Sequence, residues 1–122
     1  MRPITQIILL VLFVCLGIIN CSDNPVEFKS EEIEGKVSKN KLTISNKIDK
    51  PNYYFVVERE SAVHINWAPI SNDENKINPQ QNKQLDLNDV YGFQDGKQII
   101  IYYWSVVDPD AQAIKNIVVD TK

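Results

Sequence analysis

The chain has 122 residues, thirteen Lys and Arg against sixteen Asp and Glu, and two cysteines, Cys15 and Cys21. That length holds one domain. The charges are interspersed along a chain of net charge −3. This excludes the basic stripe that a nucleic-acid surface needs, and with it electrostatic attachment to anionic lipid.

Arg2 and the α-amino group precede an apolar run from Ile7 to Ile19. As a helix that run spans about 20 Å, short of the ~30 Å of hydrocarbon that a permanent span must cross. The length fits the h-region of a signal peptide, with a retained signal anchor as the alternative. Cys15 lies inside the run and Cys21 just beyond it. Removal of residues 1–20 leaves Cys21 as the sole cysteine, so no intramolecular disulfide can form even in an oxidising compartment.

The stretch Ile18-Ile19-Asn20-Cys21 resembles the end of a bacterial lipoprotein signal sequence, although Asn20 stands where Gly, Ala or Ser is usual. The resemblance implies a signal peptide over 1–20, diacylglycerol on the Cys21 thiol, and attachment to a membrane of the cell envelope through that lipid. With Ser22 next, it implies sorting to the outer membrane in a cell that has one. A plain signal peptide followed by an incidental thiol is the alternative. The processed chain keeps all sixteen acidic residues against twelve basic ones.

Residues 21–32 are polar, acidic and proline-containing, the composition of a flexible tether. From 33 to 122 the pattern is that of strands. Lys41 to Ser45 alternates, with Leu42 and Ile44 on one face. A turn cluster ending at Pro51 follows, then Tyr53 to Glu58, rich in aromatic and β-branched residues. Ala62 to Trp67 alternates again, placing Val63, Ile65 and Trp67 opposite His64 and Asn66, and Pro69 closes it. Residues 70–82 read as a mobile polar loop. Lys83 to Leu87 reads as a short strand. Val90 to Phe93 leads into Asp95-Gly96, a hairpin signal. Gln98 to Val107 reads as the longest strand, apolar on both faces. Ile114 to Asp120 ends the chain as a strand, or opens as a helical turn.

Six or seven strands at roughly ten-residue spacing predict an all-β fold, a small antiparallel β-sandwich. The order Leu42 to Asn46, Lys50-Pro51, Tyr53 to Val57 and Ile77 to Leu87 is similar to the small immunoglobulin-like domains of bacterial envelope proteins, with Gln80 where glycine is commoner. That resemblance implies a fold class and no activity.

Catalytic motifs are lacking: there is no Gly-x-Ser-x-Gly elbow, phosphate-binding glycine loop or His-Glu-x-x-His. His64 is the one histidine, and a general base needs an orienting partner that the sequence does not supply. Asn72-Asp73-Glu74-Asn75 and Asp86-Leu87-Asn88-Asp89 gather oxygen ligands without the spacing of a calcium loop, so neither metal nor cofactor is expected. The sharpest candidate is an aromatic surface around Tyr54, Tyr103 and Trp67, on the face of the long strand shared by Ile99, Ile101, Tyr103 and Val107, for an envelope protein or glycan partner; cover of that face by loops and the N-terminal segment is the alternative. The expectation is a non-catalytic binding or structural module. A small periplasmic hydrolase or inhibitor is the alternative, and an accessory subunit with a partner over the second face a further one.

Overall fold

The computed structural model describes residues 28–122. The expected signal peptide and the expected lipidation site at Cys21 lie outside the described residues. Eight strands follow one another there: β1 Phe28–Lys29, β2 Ile33–Ser38, β3 Lys41–Asn46, β4 Asn52–Glu58, β5 Lys76–Ile77, β6 Asn82–Asp86, β7 Ile99–Trp104 and β8 Lys115–Val119. They form two antiparallel sheets, β1-β2-β3-β6 and β5-β4-β7-β8. The chain changes sheet after β3, after β5 and after β6, the connectivity of an immunoglobulin-like β-sandwich.

Alternation accounts for the core. Leu42 and Ile44 of β3 meet Ile99, Ile101 and Tyr103 of β7 and Tyr54 of β4 between the sheets. Gly35 of β2 makes room for this closure. A Cβ there would stand 3.0 Å from both Ile101 Cδ1 and Val119 Cγ2, so a glycine in a strand marks the place where the sheets come closest.

The second sheet is apolar on its outer face as well. Tyr53, Phe55 and Val57 of β4 pair directly with Trp104, Tyr102 and Ile100 of β7. A two-layer sandwich buries one face of each sheet, so this face requires a cover of its own. Residues 61–71 supply it. Ala62 to Trp67, expected as a strand, begins instead as a 3-10 turn at Ser61–Val63 and continues without regular structure. The cause is local. The Glu58 carboxylate accepts the N–H groups of Glu60 and Ser61 and the Ser61 hydroxyl, which turns the chain sharply out of β4. Pro69 then withholds a ladder donor.

Other boundaries moved for similar reasons. The hairpin expected at Asp95-Gly96 is a turn, with Gly96 at φ +82 and Lys97 N–H donating to Gln94 O at 3.0 Å. It links β6 in one sheet to β7 in the other, and Val90 to Phe93 contributes only a single parallel bridge, Tyr91 to Val57. A two-residue hairpin turn is found instead at Lys39 and Asn40, with φ of 50 and 64, closed by the Ser38–Lys41 pair. The segment 70–82 contains β5, which pairs Ile77 with Asn52 and Lys76 with Tyr53.

The tail of the expected tether is also part of the fold. Phe28 and Lys29 pair with Gly35 and Glu34. The Ser30 hydroxyl accepts the N–H groups of Glu32 and Ile33 at 3.3 and 3.2 Å, and Glu32 pairs with Lys115 of β8.

Two buried asparagines fasten the end at which β3 crosses to β4. Asn46 donates to the carbonyls of Lys50, Ile77 and Asn78 at 2.7, 3.0 and 3.3 Å. Its oxygen accepts Ile48 N–H and Asn52 Nδ2 at 3.2 and 2.9 Å. Both residues are buried, and Asn52 Oδ1 has no partner among the described residues.

Candidate functional site

Trp67 lies over the outer face of the second sheet. Its indole stacks on Phe55 with ring centroids 4.7 Å apart and an interplanar angle of 19°. It tilts against Tyr102 at 4.7 Å and stacks on Trp104 at 6.2 Å. Offset and stacked rings at such separations contribute about 0.5–1.5 kcal/mol each beyond the area they bury. Trp67 remains partly exposed, and beside it runs a concavity of about 530 Å³ lined by Tyr54, Phe55, Ala68, Ile70, Trp104 and the polar residues Asn66, Asn72, Glu74 and Asn75. That volume falls within the range of small-molecule and peptide side-chain pockets.

The rim of this groove is set by hydrogen bonds. Asn72 Oδ1 accepts Glu74 and Asn75 N–H at 2.9 and 3.1 Å, while Asn75 Oδ1 accepts Asn72 N–H at 2.9 Å. The Asn75 amide donates to Tyr54 O at 3.1 Å and to Ile70 O at 2.5 Å, binding the loop to β4. Ser71 Oγ accepts Trp104 Nε1 at 2.8 Å and donates to Val107 O at 2.8 Å. Ser71 thereby joins the loop over residues 68–75 to the end of β7 and to Val107 just beyond it. The loop expected to be mobile is tied by these bonds to itself and to its neighbours.

Of the expected aromatic surface, only Trp67 is where a partner could reach it. Tyr54 and Tyr103 are 9% and 2% exposed and face each other across β4 and β7 on the core side. The Tyr103 hydroxyl donates to Ser30 Oγ at 2.8 Å, and burial raises the Tyr54 phenol above its usual range. Both strands are apolar on both faces, so periodicity alone gives no sign of which set turns inward. The outer set is the other one: Phe55 is half-buried under Trp67, and Trp104, itself buried, forms part of the groove wall. The sequence clue to it was the irregular, proline-closed segment carrying Trp67, which had to lie across a sheet face if it was not a strand.

No protein-family model, curated protein or solved structure matches the chain.

The remaining candidates take up structural roles. His64 is exposed at the end of the 3-10 turn, its N–H on Ser61 O at 3.0 Å, and is not mid-strand as expected. Asp86 accepts Asn88 N–H at 2.9 Å and pairs with Lys41 at 3.1 Å; these contacts, the Asn88 N–H first, lower its pKa. Burial by itself pushes the Glu58 carboxyl up. The hydrogen bonds from Glu60 and Ser61, with the charge of Lys97, outweigh that and hold its pKa below the usual glutamate value. Among the described residues no group of three or more His, Cys, Asp or Glu converges on one point. A larger open depression of about 950 Å³ lies at the opposite end, where Lys97 pairs with Glu60 at 3.1 Å and Arg59 bonds Gln98 at 2.6 Å. Its lining side chains are mostly charged or polar, with Val63 the one aliphatic among them.

Proposed function

We propose that this chain is a lipid-anchored protein of the cell envelope, held in the outer membrane through Cys21, whose β-sandwich is a non-catalytic binding module docking its partner at the Trp67 groove. The observation that carries this reading is the partly exposed indole seated on Phe55, Tyr102 and Trp104 beside a concavity framed by hydrogen-bonded loops. An aromatic anchor on a preformed surface is what concentrates binding energy at protein interfaces. The anchor rests on the leader and on the position of Cys21, and acyl burial of about 0.8 kcal/mol per methylene would hold the chain at the bilayer.

Two substitutions test the two halves. Cys21→Ser should abolish incorporation of labelled fatty acid and release the protein from membranes. Trp67→Ala should leave membrane attachment intact and lower recovery of the crosslinked envelope partner by about tenfold, the usual cost of an anchor residue. Unchanged recovery with a folded Trp67→Ala protein would reject the groove as the docking site.

A further inference from the structure

The groove opens onto an apolar tip of unusual charge. Ile70, Val106 and Val107 are 65%, 48% and 63% exposed, and the bond from Ser71 Oγ to Val107 O brings their two loops together. Residues 68–75 and 105–114 contain four carboxylates, Asp73, Glu74, Asp108 and Asp110, and no Lys, Arg or His. The rest of the described chain carries twelve basic residues against ten acidic ones, so its balance has the opposite sign. The basic residues flanking the loops in sequence are Lys76 in β5 and Lys115 in β8, and Lys115 is paired with Glu32.

We infer that the partner docked at this end is a polypeptide segment combining Lys or Arg with aliphatic or aromatic side chains, the apolar side chains seated in the Trp67 groove and against Ile70 and Val107, and the cations facing the acidic rim. This deepens the proposed function and rests on the groove being the docking site. Charge complementarity selects the occupant. An apolar centre inside a polar rim is the ordinary anatomy of a protein interface; Glu74 lines the groove itself and the other three carboxylates lie on the two loops beside it, so the rim favours partners of opposite charge and rejects others. The same four carboxylates repel an anionic lipid surface, and a neutral glycan would find in them hydrogen-bond acceptors for its hydroxyls but no charge to match. The loops hold their shape through the Asn72–Asn75 bonds and the Ser71 bridge, so little ordering is required on binding.

The test uses the full chain, extracted from membranes in a non-ionic detergent without a sugar headgroup, against a random peptide display library and a panel of neutral oligosaccharides. Peptides retained by the wild type should be enriched in Lys or Arg adjacent to Leu, Ile, Val or aromatic residues. Their affinity should fall several-fold as ionic strength rises from about 0.05 to about 0.5 M, over which screening shortens strongly. Ile70→Ser/Val107→Ser and Asp73→Asn/Glu74→Gln/Asp108→Asn should each weaken them about tenfold. Asp110 is left in place because its carboxylate accepts Ala113 N–H at 2.9 Å. The substituted side chains are all exposed, and circular dichroism confirms folding. Selection without cationic bias, or affinity indifferent to the rim substitutions, overturns the partner class. So does an oligosaccharide retained by the wild type and lost in Trp67→Ala. Selected peptides that still require Trp67 but show no charge preference reject the partner class and keep the groove, whereas selection indifferent to Trp67 and to both loops rejects the two together.

Discussion

Asn46→Ala is the substitution whose cost the structure specifies best. The amide makes five hydrogen bonds, but three of them, to Lys50 O, Asn78 O and Ile48 N–H, lie where water can replace the lost partner. The other two, to Ile77 O and from Asn52 Nδ2, are buried. Each orphaned buried group costs about 1–3 kcal/mol, so the expected loss is about 4 kcal/mol. For a domain of this size, with a total stability of about 5–14 kcal/mol, that is a large fraction, and it lowers the melting temperature by about 15–30 °C. Asn52→Val should behave differently. It removes an oxygen that already lacks a partner, and Asn46 Oδ1 keeps the Ile48 N–H, so the expected cost is below about 1 kcal/mol. In the Asn52→Val background, Asn46→Ala should cost about 1–3 kcal/mol less than in the wild type, because one of the two buried orphans no longer exists. Urea unfolding of the four proteins in this cycle gives the values directly. An Asn46→Ala loss under about 1 kcal/mol, or an Asn52→Val loss equal to it, would refute the assignment of this amide as the tie between the sheets.

Lys39→Asn should stabilise the fold by a few tenths of a kcal/mol to about 1 kcal/mol, since Asn tolerates the left-handed backbone that this turn position demands at φ 50; the denaturant midpoint measures it, and a lower midpoint would contradict the turn. Gly92→Ala should destabilise by more than about 2 kcal/mol: its φ is +76 and a Cβ would lie 2.3 Å from Ser61 Oγ, so the knot around Glu58 must open. Acid should weaken the domain through Glu58 and Asp86, whose pKa values are lowered by folding. Their contribution is complete above the ordinary carboxylate range of about 4 and is lost as pH falls through the folded values, so Glu58→Gln should flatten the acid limb of the stability profile. Lys115 and Tyr54 are raised by folding, the first by its hydrogen bond to Glu32 and the second by burial. Their contribution holds up to about pH 10 and disappears as pH rises through the folded values, which thermal melts in alkaline buffer would detect.

The strands that can be read from the chain are those with one decisive face. Leu42 and Ile44 alternate against Thr43 and Ser45, and β3 falls where the alternation places it. β4 and β7 could be placed along the chain but not oriented, because both of their faces are apolar. Choosing the face therefore needed the cover, and the cover, residues 61–71, imitates a strand. Val63, Ile65 and Trp67 alternate with polar residues, but the bend imposed by Glu58 accepting the Glu60 and Ser61 groups depends on a contact that alternation does not encode. The Lys39-Asn40 turn escaped for a related reason: lysine is not a turn residue, and only the pairing of Ser38 with Lys41 forces it into one. Trp67 was recognisable as a candidate aromatic. Its supports, Phe55 and Trp104, come from two directly paired strands, and the apolar pair Ile70 and Val107 from separate loops joined by the Ser71 bridge.

The antiparallel course of β1 has a mechanical consequence. A pull applied at Phe28 along the β1 axis, away from Lys29, opposes the strand's own direction. The ladder bonds between β1 and β2 then bear the load together in shear and are not unzipped one at a time. Behind them stand two clamps to the second sheet, the Tyr103 hydroxyl on Ser30 at 2.8 Å and the Glu32–Lys115 pair. Tension entering at β1 is thus passed into both layers.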